Sequence, residues 1–596
     1  MNVTRCIGRV HRAEQHVWSA VNPTKAVPTK AVPTTTVPVA TGPTTTPVLI
    51  VGGGPVGLTL SALLSDQGVD HLLVEAHPTT AHHPKARGIA ARSMEILRRL
   101  GLEAEVRRAG LPASQVFFYR GRDLVDPDFV RTGVVPADSP DAPQPERTPA
   151  PGLICSQDVL EPILLGRARA AAGEDRIRFG TRLVSCTDEG DHVRAVLVER
   201  AGGRRYTVCA DWLVGCDGAG SSVRAGAGIG MQGPTGLGHF LSVRFDAPLG
   251  AVVADRASAS YFLTPPGRGG FMAVDNDRRW IHQYPFDPEQ ARDDEDFTDP
   301  RRLEELIRVA AGIADLDVRV RDTMVWRMDA RLADAYRSGR ILLAGDAAHV
   351  IPPTGGHGMN TGIGDADNLA WKLAAVVAGR ATPALLDSYQ AERRAPAREV
   401  IELSRANAAA RSGYRIDDEL LLDVVYRSTA VVPDPDDPHR PESFLAHGRA
   451  PVGPGHRLPH TRLIGPPGIT STLDLLAPAP GFTLIIGADE PAWRRQAEVA
   501  EASGSTVVVR VLDGGPVRER EPGTFQRVCG VPATGAVLVR PDGHLAWRAP
   551  HPPAGPELLA VLRRVLSAPT RPTPPGAHPP APDDDSRSRT HTNPDS

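Results

Sequence analysis

The sequence predicts an α/β protein: a dinucleotide-binding, Rossmann-like domain split by an inserted antiparallel β-sheet and followed by a smaller C-terminal α/β domain. Three observations predict it. A short apolar run, Val48-Leu49-Ile50-Val51, leads directly into Gly52-Gly53-Gly54-Pro55-Val56-Gly57 and an apolar helix. From Gly236 to Thr323 the pattern changes to short alternating runs punctuated by turn residues. Beyond a proline- and glycine-rich stretch, strand and helix patterns alternate again over 455–567.

The bulk numbers exclude several classes. At 596 residues the chain has room for about two to four domains. A net charge of −3 without a basic field or run favours neither nucleic acid nor a membrane surface as partner. No uninterrupted apolar run reaches membrane-spanning length. The cysteines (Cys6, Cys155, Cys186, Cys209, Cys216 and Cys529) form no C-x-x-C pair, so neither a metal site nor a dithiol redox pair is expected. Scattered thiols fit a reducing, cytoplasmic location.

Residues 1–46 read as a disordered leader, or as a start codon placed too early. PTKAVP occurs twice from Pro23, large apolar residues are few, and no signal-peptide core follows the early arginines. The nucleotide-binding domain begins with 47–235. Gly52 permits a tight turn, Gly54 lets backbone reach a pyrophosphate, and Gly57 allows close helix–strand packing. An apolar helix follows Gly57 and runs to Gln67, with Gly68 as its cap. A second strand, His71 to Val74, ends at Glu75, near the ~20-residue spacing of a ribose-binding acid.

Lys85 to Leu97 follows, with Arg87 and Arg92, which on composition alone are solvated surface charges. Residues 120–151 are rich in proline, aspartate and arginine and read as a long loop. A helix begins at Ser156 or Asp158, with Gln157 in its first turn as a capping residue on the plain reading. A small meander then leads through Trp212-Leu213-Val214 to Asp217-Gly218 and Arg224, a strand, turn and helix start.

The inserted sheet is assigned to 236–323. Trp280, His282 and Tyr284 alternate and share one face, which lines an aromatic pocket or, by default, forms plain core. Neither these residues nor His239 and Tyr261 carry a base signal, and no catalytic residue is assigned.

The nucleotide-binding domain resumes over 324–412. Ile341 to Ala344 is a buried strand ending at Gly345-Asp346, where a carboxylate can accept hydrogen bonds from a polyol chain. Pro352-Pro353 stiffens the turn, and Gly355, Gly356 and Gly358 let backbone approach a flat ligand. From Met359 and Asn360 the pattern is helical, with Ile363, Ala366, Leu369, Ala370 and Leu373 on one stripe. Its N-terminus suits an anion. Residues 413–454 are a linker and 568–596 a disordered tail. Between them, strand, helix, strand, a hairpin with a Pro541-Asp542-Gly543 turn and a last helix follow the order of a thioredoxin-type domain. Without a C-x-x-C pair that domain is expected to serve packing or dimer formation.

With these residues in view, Gly339 to Lys372 resembles the flavin-contacting segment of the FAD-dependent aromatic hydroxylases, the single-component flavoprotein monooxygenases. The similarity is greatest to those acting on phenols and aromatic polyketides. It covers most of 47–410 and, more loosely, 455–567. It implies a Rossmann-like FAD domain, an inserted antiparallel substrate domain and a thioredoxin-like C-terminal domain. It implies FAD as cofactor, NADPH (or NADH) and molecular oxygen as co-substrates, a small aromatic substrate, and a monomer or homodimer.

The resemblance assigns FAD contact to Gly52, Gly54, Pro55, Val56, Gly57, Glu75, Arg87, Gln157, Asp217, Asp346, Pro353, Gly358, Met359 and Asn360, with Arg92 and Arg224 nearby. The reaction it implies is hydroxylation through a flavin hydroperoxide whose distal oxygen attacks an electron-rich ring. Two alternatives stay open: Baeyer–Villiger oxygenation of a polyketide, and a non-catalytic flavoprotein that binds an aromatic ligand. A flavin-dependent halogenase is disfavoured because its W-x-W-x-I-P motif is absent.

Overall fold

The apolar runs from distant parts of the sequence lie side by side. Thr44–Val51 pairs in parallel with His71–Glu75 on one edge and Arg205–Gly215 on the other, and Ile341–Leu343 extends the sheet past the latter. Val48, Leu49, Ile50, Leu73, Leu213 and Leu342 are fully buried, as a parallel sheet covered on both faces requires. In this computed structural model the described residues are 44–112, 115, 118–132, 146–264, 268–289, 297–409, 419–435, 443–445, 452–476, 481–513 and 516–567. The leader reading for 1–43, the tail reading for 568–596 and parts of the linker lie outside them. The first strand starts before the apolar run, because Thr44, Thr45 and Thr46 pair with Val208, Cys209 and Ala210.

The central sheet runs Arg337–Ser338, Ile341–Leu343, Arg205–Gly215, Thr44–Val51, His71–Glu75, Ile177–Phe179, with Val193–Glu199 and Thr181–Asp188 folded antiparallel beside Arg205–Gly215. Helices Pro55–Asp66, Gln157–Ala172 and Gly358–Val377 pack on it.

The inserted sheet has seven strands, in the order Arg319–Met328, Gly238–Asp246, Arg279–Phe286, Gly270–Ala273, Ser260–Leu263, Phe118–Gly121, Val130–Thr132. The last of these, and the end of the one before it, come from residues 120–151, the stretch read as a long loop. Phe118 and Tyr119 stack on Phe262 and Tyr261, with ring centroids 5.9 and 6.1 Å apart, and this tertiary contact makes a strand of a locally turn-rich sequence. One face of the sheet is closed by helix Pro300–Ala311, through Leu303 and Ile307 against Leu241, Phe245, Phe271 and Trp280.

The C-terminal sheet runs Val507–Asp513, Phe482–Ala488, Ala536–Val539, Leu545–Ala549, the first pair parallel and the others antiparallel. With helices Pro491–Ala502, Thr524–Cys529 and Glu557–Val565 this is the thioredoxin-like arrangement. One of its faces packs on Trp371 and Ala375 of helix Gly358–Val377. The turn of its hairpin reaches into the nucleotide-binding domain: the Asp542 carbonyl accepts from Arg92 at 2.6 Å and its carboxylate from Trp371 at 3.1 Å. Among the described residues, no helix is long and apolar enough to cross a membrane, and no group of His, Cys, Asp and Glu is placed to hold a metal ion.

Candidate active site

Four sequence-distant loops meet at the carboxyl ends of the parallel strands, and glycines let them touch. A Cβ on Gly52, whose φ is +113°, would lie 2.3 Å from the Cys216 carbonyl oxygen, just before Asp217. A Cβ on Gly57 would lie 2.0 Å from the Gly52 carbonyl oxygen. A Cβ on Gly362 would meet Val56 at 2.5 Å and the Gly345 backbone at 3.0 Å. Helix Pro55–Asp66 starts at Gly54 with no side-chain cap. Among the described residues, the Val56 and Gly57 N–H groups donate to no protein acceptor, which leaves an open anion cradle. Glu75 closes one side: its Oε2 accepts from Gly53 N at 2.7 Å and its Oε1 from His77 N at 2.8 Å.

Asp346 lies on the opposite wall, in the short turn Gly345–Ala347 at the end of Ile341–Leu343. Its side chain is exposed and makes no hydrogen bond among the described residues. Yet desolvation by the surrounding protein raises its pKa, only partly offset by His349 and Lys85. Solvent contact combined with enclosure is the condition of a group on the wall of a deep cleft.

The turn is fixed from behind by Asp365, which composition did not single out. Asp365 accepts from Gly345 N at 3.0 Å, His349 Nε2 at 2.7 Å and Arg393 Nε at 2.8 Å. Burial opposes its ionisation, but His349 and Arg393 outweigh burial and hold it below the ordinary carboxylate range. Its signal was the helix stripe itself: a carboxylate beside Ala366 and Leu369 is buried and must have partners.

Helix Gly358–Val377 points its first turn at the same cleft. Asn360 secures that end: its Oδ1 accepts from Ala90 N at 2.9 Å, and its Nδ2 donates to Gly88 O at 3.0 Å and Gly356 O at 2.7 Å. Pro353 lies exposed in the turn before the helix and accepts from Gly356 N at 3.0 Å. The Gly358, Met359 and Asn360 N–H groups have no protein acceptor among the described residues.

Other expected site residues serve the protein itself. Gln157 is buried. It accepts from Lys85 N at 3.2 Å and Ala86 N at 3.1 Å and donates to Glu161 at 2.6 Å, so it holds the 85–87 segment in place. Arg87 bridges to the inserted sheet, donating to Ala259 O at 2.8 Å, Ala273 O at 3.0 Å and Ser260 Oγ at 2.8 Å. Asp217 caps helix Ser222–Gly226, accepting from Ser222 N at 2.8 Å and Val223 N at 3.1 Å. Arg224 donates to Ala347 O at 3.0 Å, which joins this cap to the Asp346 turn. Arg92 is buried between Glu95 and Asp367 and is no surface charge.

The inserted sheet turns its second face toward this cleft, as the reach of Arg87 and His83 to it shows. Trp280, His282 and Tyr261 are fully buried on the other face, so the default core reading holds for them. Burial lowers the His282 pKa to about 4, against the opposing hydrogen bond with Arg268 O. The cleft face carries Phe240 stacked on Trp326 at 4.5 Å, together with Phe262, Met272 and Gln283, all half-buried.

A family model described as FAD binding domain matches residues 45–404, and one described as aromatic-ring hydroxylase, C-terminal, matches 452–569. The chain belongs to the FAD-dependent aromatic-ring hydroxylases. An aklavinone 12-hydroxylase of Streptomyces purpurascens is 38% identical to this hydroxylase over 536 residues, 87% of this chain and 98% of the relative. A tetracenomycin B2 monooxygenase-dioxygenase of Streptomyces olivaceus is 37% identical over 552 residues, 87% and 98% of the two chains. Among solved structures, an aklavinone-11 hydroxylase in complex with FAD and aklavinone superimposes with a TM-score of 0.77 at 36% identity, covering 88% of this chain and 99% of the other. This hydroxylase is thus an FAD-dependent monooxygenase of aromatic rings, with a Rossmann-like FAD domain, an inserted sheet and a thioredoxin-like C-terminal domain.

Proposed function

We propose that the hydroxylase oxygenates a polycyclic, phenolic polyketide, held between the cleft face of the inserted sheet and the isoalloxazine ring of FAD, with NADPH as electron donor. The observation that carries this reading is the row of half-buried rings, Phe240, Trp326 and Phe262, on the face of the inserted sheet that His83 and Arg87 reach through Ser242 and Ser260. Such a wall suits a flat aromatic ligand larger than a single ring.

The residues fit a flavin. The open N–H groups at Val56 and Gly57 suit its pyrophosphate, Glu75 its adenosine ribose and Asp346 its ribityl hydroxyls. The segment from Pro353 to Asn360 suits the ring. Bound there, FAD would take hydride from the nicotinamide and activate oxygen for transfer to the substrate.

The rest is the work of the chain. The first turn of Gly358–Val377 presents partial positive charge where the reduced ring would gather negative charge. Asn360 and Asp365 hold that turn and the Asp346 turn at a fixed separation. The aromatic wall excludes water from the reacting centre. No acid–base side chain is needed when the substrate arrives as a phenolate, and none is assigned.

The division into 47–235, 236–323, 324–412, 413–454 and 455–567 is carried forward in this proposal, with 118–132 joined to the inserted sheet. Cys155, Cys186, Cys209, Cys216 and Cys529 are all free, which supports a cytoplasmic location. The reading is tested by supplying hydroxylated anthraquinones and single-ring phenols to the FAD-loaded protein. Stimulated NADPH oxidation and a product heavier by one oxygen are expected with the polycyclic compounds. Ring expansion to a lactone, which carries the same added oxygen, would indicate the Baeyer–Villiger outcome, and flavin binding without turnover the non-catalytic one.

A further inference from the structure

Five polar side chains at the cleft face form one directed chain. The Trp326 indole can only donate, and its Nε1 lies 3.0 Å from Gln283 Oε1, so the amide of Gln283 has one possible orientation. Gln283 Nε2 then donates to Ser242 Oγ at 2.9 Å. Having accepted there, Ser242 directs its own hydrogen to His83 Nε2, 2.7 Å away. The Asp322 carboxylate can only accept, so His83 Nδ1 donates to it, and in the neutral ring Nε2 accepts from Ser242. Asp322 is held in turn by Arg244 Nε at 3.0 Å. Ser242 is fully buried and His83 nearly so. The indole at one end only donates and the carboxylate at the other only accepts, so the neutral chain runs in one direction.

Among the described residues, one donor is left over. The amide of Gln283 carries a second N–H, and its side chain is half-buried among the rings of the cleft face. Gly270 pairs with Gln283 in the sheet and has no side chain to cover it. On the far side of Gly270, a Cβ would lie 3.5 Å from the Phe262 ring. An N–H of fixed direction, set in an apolar wall, is the kind of polar group that orients a ligand.

We propose that Gln283 is a specificity-determining residue: its free amide N–H donates to an oxygen of the aromatic substrate, a phenolate or a quinone carbonyl, and Trp326, Ser242, His83 and Asp322 are positioning residues that aim it. This rests on the substrate reading above. It adds that the pocket selects an oxygen acceptor at one place on the ring and discriminates against a carbon isostere there, because an unmet buried donor costs more than a made bond gains.

The test uses the FAD-loaded protein and two probes of similar shape, 1-naphthol and 1-methylnaphthalene, with binding read from the flavin spectrum. The wild type is expected to prefer 1-naphthol by about tenfold. Gln283→Leu should abolish that preference while binding 1-methylnaphthalene at least as well. Trp326→Phe keeps the stack on Phe240 but frees the amide. It should narrow the preference with an unchanged melting temperature, which a purely structural role would not produce. The proposal is overturned if wild type binds both probes equally, or if flavin-replete Gln283→Leu keeps the wild-type ratio. If neither probe binds and no aromatic compound stimulates NADPH oxidation, the substrate reading falls and takes this proposal with it.

Discussion

Arg540 grips Glu392 with both guanidinium nitrogens, at 2.6 and 2.8 Å, and both side chains are fully buried. The pair joins the C-terminal hairpin to helix Asp387–Ala409 of the FAD domain. Lys372 and Asn368 also donate to Glu392, and Arg540 also holds Asp542. Arg540→Met would leave two buried carboxylates short of a cation, so stability should fall by about 3–5 kcal/mol. Urea unfolding of the FAD-loaded protein checks this. An unchanged midpoint would mean that this ion pair adds nothing net to the joining of the two domains.

Gly57→Ala should part helix Pro55–Asp66 from the loop before it, because the new Cβ would meet a backbone oxygen at 2.0 Å. A loss of about 1–3 kcal/mol is expected, together with loss of bound flavin. Gly68→Ala is the control: φ is +73° but nothing lies within 4 Å, so it should cost about 1 kcal/mol and keep the flavin. Flavin absorbance per protein separates the two.

Asp346→Ala should weaken FAD binding tenfold or more, a change of about 1.4 kcal/mol. Asp346 has no hydrogen-bond partner among the described residues, so the flavin-free protein should unfold within about 0.5 kcal/mol of wild type. Wild-type flavin occupancy in the variant would refute the ribityl contact.

His282 makes stability depend on pH. Burial holds its folded pKa at about 4, below the ordinary 6.5. Between those values the unfolded chain binds a proton that the folded chain does not. Its contribution is therefore complete above pH 6.5 and is lost as pH falls toward 4, reaching about 3 kcal/mol. Unfolding midpoints of wild type and His282→Gln, compared at pH 8 and pH 5, should diverge as acid is added. Parallel curves would place the acid sensitivity elsewhere.

The parallel sheet and the cradle were legible because their signals are local. A buried strand must be an apolar run, a tight βα turn must be glycine, and the acid must end the next strand, so Gly52, Gly57 and Glu75 could be placed from spacing. The strand at Phe118–Gly121 was not legible, because its warrant is a ring stack on residues far along the chain. Arg87, Gln157 and Asp217 were expected to contact the cofactor, whereas the hydrogen bonds that engage them in the fold depend on which loops come together. Spacing shows where such a side chain begins and not where it ends. Arg92 shows this most clearly: an arginine on an amphipathic stretch reads as surface, but in the fold Glu95, Asp367 and the C-terminal hairpin together enclose it.

That hairpin has a consequence for recombination among these enzymes. Its polar tip interlocks with Asn368, Trp371 and Glu392, which belong to helices Gly358–Val377 and Asp387–Ala409. A chimera that exchanged only the last third of the chain would bring a foreign tip into a socket shaped for this one. To stay intact, such a graft has to carry the socket with it, and helix Gly358–Val377, which supplies most of that socket, also carries at its other end the first turn proposed above to face the flavin ring.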